Sequence, residues 1–166
     1  MKKLLLFFAL ILLFGCESIL KNDENITSIN CPTIFFSSEN NVYPLGNLKN
    51  LDLDEFEYKA KLNNFNYSKG CFADNSKNYF KLNLLVLVEP INPTNKTLKI
   101  PLFAILYDVN NDIIEKQYFR ITGELNYSSQ TNEYQLTDLI TMLNIISEKN
   151  EDISSISIGF VNIKNN

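Results

Sequence analysis

The chain has 166 residues, a net charge of −4 at pH 7, no histidine, no tryptophan and 5 glycines. An acidic chain with a pI near 4.9 lacks the electrostatic footprint that nucleic acid or anionic headgroups require. Without imidazole there is no Ser–His or Cys–His pair, no His-Glu-x-x-His zinc helix and no histidine base. Gly-x-Ser-x-Gly, the phosphate loop and Gly-x-Gly-x-x-Gly are missing as well, which disfavours most hydrolase and nucleotide chemistry.

In chain order, Met1-Lys2-Lys3 precedes an apolar run from Leu4 to Phe14, and Leu13-Phe14-Gly15-Cys16 closes it. This pattern predicts a bacterial lipoprotein signal over residues 1–15, with Cys16 taking the lipid and becoming the mature N-terminus. A run of about eleven residues is too short for a hydrocarbon core that needs about twenty, so a transmembrane anchor is not expected. The protein is expected to face the periplasm, with the outer membrane favoured over the inner. Losing Lys2 and Lys3 takes the net charge from −4 to −6. About 150 residues then remain, enough for one domain with a real core.

Residues 16–30 read as the lipidated cysteine and a polar tether, without period 2 or 3.6. Removing Cys16 from the three cysteines leaves Cys31 and Cys71, an even number in an oxidising compartment. A bridge between them would close a loop of about forty residues and stabilise the fold by about 3–4 kcal/mol on the loop-entropy model. Two buried free thiols are the alternative.

The folded domain is expected over 31–163. Thr33-Ile34-Phe35-Phe36-Ser37 is the first strand. A polar turn follows at 39–41, and the Leu48, Leu51 and Leu53 stretch is loop or one helical turn. Phe56, Tyr58, Ala60 and Leu62 alternate with Glu55, Glu57, Lys59 and Lys61, the signature of a strand with one wet face. Asn63-Asn64 interrupts it, which predicts a bulge or strand end, and Gly70-Cys71 is expected to turn the chain. The third strand spans about 79–89, with Phe80, Leu82, Leu84, Val86 and Val88 on one face. Pro90 to Asn95 is a loop, and the fourth strand covers about 97–107. Pro101 lacks an amide hydrogen, so it needs an edge, a bulge or a strand start.

Asp108 to Asp112 is a hairpin leading to a strand over 113–121. Asp108, Asn110 and Asp112 imitate the first ligands of a calcium loop, but Ile113 and Phe119 stand where glycine and glutamate are required. The last strands are expected at about 134–144 and 153–161. Leu136, Leu139, Ile140 and Leu143 also fit a helical template over 136–146. Seven strands with polar connections point to an all-β, seven-stranded sandwich of immunoglobulin or fibronectin type, with a small closed barrel as runner-up.

Several segments carry a family resemblance: Cys31-Pro32 soon after the lipid cysteine, Leu51-Asp52-Leu53 through Leu62, and Gly70-Cys71 before a long strand. With Ile100-Pro101-Leu102-Phe103-Ala104-Ile105-Leu106-Tyr107-Asp108 leading to Phe119, they resemble a family of uncharacterised alphaproteobacterial membrane lipoproteins. The resemblance covers most of the mature chain, although that family has a glycine in the hairpin where this chain has Asn110-Asn111. It implies no activity and no catalytic residue.

The function expected from the residues is a lipid-anchored binding or structural module working through protein–protein contacts at the membrane. No cofactor, metal or small-molecule ligand is inferred. The alternative is a small carboxylate-dependent hydrolase built on Asp52, Asp54, Glu55 and Glu57, although those acids also suit the solvated face of a strand. The candidate partner surface is Leu85 and Leu87 with Phe103, Ile105 and Tyr107, which form one outer patch if the third and fourth strands pair. Residues 48–53, or a helical 136–146, would be its cover if it is buried.

Overall fold

The structure is a computed structural model describing residues 26–44, 56–148 and 151–161. The fold is all-β. Among the described residues there are eleven strands and no helix: β1 (Thr27–Ile29), β2 (Thr33–Phe36), β3 (Val42–Tyr43), β4 (Tyr58–Ala73), β5 (Lys77–Pro90), β6 (Thr97–Tyr107), β7 (Ile113–Glu124), β8 (Asn126–Ser128), β9 (Glu133–Gln135), β10 (Thr137–Glu148) and β11 (Ser155–Phe160). Sheet A has the order β1-β4-β5-β10, with β3 also on β4; sheet B has the order β2-β11-β6-β7; β8 and β9 form a separate pair. Each of the seven expected strands overlaps one of these, although β4 runs on to Ala73 and the strand expected at about 134–144 straddles β9 and β10. Four more, β1, β3, β8 and β9, are only two or three residues long.

The two sheets share one core, which gives the fold a sandwich-like form. Leu82, Leu84, Val86 and Val88 from β5 join Leu98, Ile100, Leu102 and Leu106 from β6 and Ile156, Ile158 and Phe160 from β11. Alternation along each strand puts these residues on one side of the pleat, so burying them fixes the register. Two tyrosines from β4 reach across to the other sheet. Tyr58 donates to the Lys99 carbonyl at 2.9 Å and Tyr67 to the Pro32 carbonyl at 2.6 Å. Burial raises the pKa of both, that of Tyr58 to about 12.

The break expected at Asn63-Asn64 is a bulge, with the β4–β5 register shifting between Leu62 and Asn64. One extra residue exchanges the two faces of a strand. Ala60 and Leu62 point inward before the bulge, and Phe65 and Tyr67 pack on the core after it. The chain does not turn at Gly70-Cys71 as expected. Lys69 and Gly70 take positive φ (67° and 76°) inside a second irregularity, and β4 continues to Ala73. The turn comes at Asp74, whose carboxylate accepts from the amides of Ser76 and Lys77.

Pro101 sits in an inner strand, but its β11 side faces the end of that ladder. The last β11 pair is Phe160 with Leu102, and only the Val161 amide reaches the Pro101 carbonyl, at 3.0 Å. No ladder donor is therefore lost. Residues 136–146 do not form the helix their spacing allowed. All twelve residues of β10 pair with β5, from Thr137 opposite Val88 to Glu148 opposite Lys77, as suits a run rich in threonine and isoleucine. The tether expected over 16–30 ends earlier than its bounds, because Thr27, Ser28 and Ile29 pair with Ala73, Phe72 and Cys71 as β1.

Candidate binding faces

The cysteine pairing is present: Cys31 and Cys71 are bridged, with their Cα atoms 5.2 Å apart and 40 positions between them in sequence. The bridge fastens the entry to β2 onto β4, next to the β1 ladder. Cys16 lies outside the described residues, as do Leu48 to Leu53 and the acids Asp52, Asp54 and Glu55. Glu57 is half-buried and accepts a hydrogen bond from the Thr94 hydroxyl. Among the described residues, no three of His, Cys, Asp and Glu are grouped to hold a metal. The Asp108 carboxylate accepts from the backbone amides of Asn110 and Asp112, each at 2.8 Å, which turns the hairpin.

The outer patch expected from Leu85, Leu87, Phe103, Ile105 and Tyr107 is not one surface. Loop 91–96 carries the chain from sheet A to sheet B, so β5 pairs with β4 and β10 while β6 pairs with β11 and β7. Leu85 and Leu87 are on the outer face of sheet A; Phe103, Ile105 and Tyr107 are on the outer face of sheet B. A local apolar pattern cannot distinguish a hairpin between two strands from a crossover between two sheets, and the crossover was formed here.

The outer face of sheet B is built around the small residues of β11. Its inward Ile156, Ile158 and Phe160 alternate with outward Ser155, Ser157 and Gly159. Ser157 lies between Phe35 of β2 and Ile105 of β6, and Gly159 lies beside Phe103. The small strip leaves room for rings to lie over it. Phe35 and Tyr107, from the two strands flanking β11, stack with centroids 6.0 Å apart. Phe103 is only 7% exposed, with the Lys116 ammonium 4.5 Å from its ring centroid. A Cβ on Gly159 would come within 2.6 Å of the Phe103 ring and 2.8 Å of Asn40 Cβ. The result is a cleft of ≈ 430 Å³ whose lining includes Phe103, Ile105, Tyr107, Lys116, Tyr118 and Ser157.

The outer face of sheet A is more open. Phe72 and Tyr79 stack at 5.0 Å, Lys81 lies 5.2 Å from the Phe72 centroid, and Tyr79 donates to Asp74 at 2.7 Å. The Tyr79 hydroxyl and the two turn amides hold the Asp74 carboxyl well below the usual carboxylate range. Ile26, Phe72, Tyr79, Met142 and Ile146 line a cleft of ≈ 450 Å³ here. Leu85, paired with Ile140, continues the apolar row along β5 and β10. Ile140 is 73% exposed and Met142 54%.

The sequence reading missed Phe35, Tyr118, Ile26 and Met142 as surface residues. Phe35 and Met142 carried a usable signal, since each alternates with core-facing neighbours on its own strand. Ile26 carried none. No family model matches the chain, and no curated protein or solved structure matches it.

Proposed function

We propose that the protein is a lipid-anchored module of the bacterial envelope, held by Cys16 in a membrane facing the periplasm, with the outer membrane favoured, and that it recognises another envelope protein through the outer face of sheet B. The lipoprotein resemblance belongs to this proposal, and so does the immunoglobulin-like form of the sandwich. Some neighbour relations support that form, since β5 lies between β4 and β10, and β6 between β7 and β11, as E lies between D and B, and F between G and C, in that fold; the parallel pairing of β2 with β11 departs from its antiparallel sheets. The chain order is then rotated.

The observation that carries the binding reading is the cleft at Ser157 on the outer face of sheet B. It sets Phe103, Ile105 and Tyr107 among polar neighbours, Ser37, Asn40, Lys116 and Ser157, beside the exposed Tyr118 (66%), and Phe35 (45% exposed) stacks on Tyr107 next to it. Protein interfaces concentrate their binding energy in such places, where one aromatic or arginine anchor enters a pocket and is shielded from water. Lys116 beside the aromatic floor favours a partner that brings a carboxylate at the rim.

The test is a photo-crosslinking residue at position 118, compared with one at position 140, in intact cells. Position 118 is expected to capture a discrete protein, and Phe35→Asp is expected to abolish that product while the domain remains folded, with a melting temperature lowered only by the lost Phe35–Tyr107 stack. Equal capture at the two positions, or a product that survives Phe35→Asp, would overturn the reading.

A further inference from the structure

We infer that the outer face of sheet A is a membrane-docking face, which lies against the bilayer that holds the lipid and turns sheet B towards the periplasm. The inference rests on lipidation at Cys16. The first described residue, Ile26, lines the sheet A cleft with Phe72, Tyr79, Met142 and Ile146. Ile26 lies ten positions after Cys16 in the chain. Fully extended, that stretch spans at most about 36 Å, and as a random coil about 17 Å root-mean-square. The face where the chain enters the domain is therefore held close to the headgroups, at a local concentration that makes a weak contact effective.

The chemistry of the face suits that neighbour. Ile26, Ile140 and Met142 are 60%, 73% and 54% exposed, and they project as separate aliphatic side chains from a pleated surface. Such side chains enter the boundary of headgroups and acyl chains as the apolar side of an interfacial helix does. Tyr79 has an apolar ring and a polar tip, and the Lys81 ammonium lies over the Phe72 ring; both residue types are favoured at membrane–water boundaries. A mature chain of net charge −6, the −4 of the full sequence less Lys2 and Lys3, has no electrostatic attraction to anionic headgroups, so the contact is apolar. The two outer faces of a two-layer sandwich point in opposite directions, so docking one exposes the other to partners.

The absence of tryptophan allows a direct test. The full chain carrying Met142→Trp, or Tyr118→Trp as the opposite-face control, is expressed in a host that processes lipoproteins. It is then reconstituted into phosphatidylethanolamine and phosphatidylglycerol vesicles with brominated acyl chains. Both proteins are expected to float with the vesicles. Only Met142→Trp should lose fluorescence to the bromine atoms and shift its emission to shorter wavelength. Ile140→Trp repeats the reading at a second exposed position should Met142→Trp fail to fold. Flotation with equal quenching at 142 and 118 would overturn docking and leave the anchor standing. A short-wavelength shift without quenching would place a protein on this face and also overturn it. Failure to float, with an unmodified Cys16, would sink the anchor and this inference with it.

Discussion

On the outer face of sheet B Phe103 lies down over its neighbours, whereas on sheet A Ile140 stands up. Phe103 is 7% exposed although it points away from the core, and Ile140 is 73% exposed in the same orientation on the other sheet. The difference comes from neighbours. Beside Phe103 are Gly159 and the long arm of Lys116; beside Ile140, on an edge strand, is Leu85. A ring can lie over glycine and serine and bury area on both sides, but an aliphatic side chain at a sheet edge has too few neighbours to cover it. An outward apolar residue can thus be structural on one face and available on the other.

The largest expected effect tests the structural side of that contrast. Phe103→Ala removes a ring packed over β11 and should cost about 3 kcal/mol, at the low end for buried aromatic truncations because one side borders solvent. Urea denaturation measures it, and a loss below 1 kcal/mol would show that the ring contributes little packing. Gly159→Ala should come next, at about 1–3 kcal/mol, because the added methyl meets a buried ring and has no room to move. Gly123 is the internal comparison: a Cβ there meets the end of Leu139, with its nearest atom at 2.5 Å. That flexible tip can rotate away, so Gly123→Ala should cost less than Gly159→Ala. The reverse order would contradict the account of sheet B.

These local contrasts were only partly legible in the sequence. All seven main strands could be read because alternation and breakers are local, and so could the Asn63-Asn64 bulge, where two polar residues interrupt a clear period. The sheet to which each strand belongs could not be read. Phe103 looks like any apolar residue in a doubly apolar strand, and its burial depends on Ser157 and Gly159, far along the chain. Gly70 is equally suitable for a turn or a bulge, and only pairing with β5 decides. β1 has no alternation to display, since its three residues are ordered by β4 and by the disulfide nearby. The Cys31 to Cys71 pair was readable because setting Cys16 aside as the expected lipid cysteine leaves no other partner.

The pH dependence separates the turns from the contacts between sheets. Asp74 and Asp108 have lowered pKa values, Asp74 chiefly through the Tyr79 hydroxyl and Asp108 chiefly through the Asp112 amide. Their stabilisation is present above the unfolded value of 3.8 and is lost as pH falls below it. Tyr58 is raised from 10.0 to about 12, chiefly by burial. Its contribution is complete below pH 10.0 and is lost as pH rises towards 12. Urea midpoints across pH should therefore fall at both ends. Tyr79→Phe should flatten the acid limb only, and Tyr58→Phe the alkaline limb only. A Tyr79→Phe protein with an unchanged acid limb would remove the Asp74 contact from the account.

The smallest expected effect bears on the open side of the contrast. Ile140→Thr keeps a β-branched side chain on β10, so strand preference is nearly unchanged, and it removes apolar surface that is already mostly in water. The stability of the domain in solution should change by no more than about 0.5 kcal/mol. That near-neutrality has content because Leu143 and Ile145, on the inward side of the same strand, are buried in the core, and the corresponding Ile145→Thr should cost several times as much. If Ile140→Thr destabilises the domain to a similar extent, then Ile140 is covered by part of the chain outside the described residues, and the outer face of sheet A is not free to meet a membrane. If it is neutral in solution but weakens vesicle quenching of a tryptophan at position 142, the side chain has no folding role and acts only where the domain touches the bilayer.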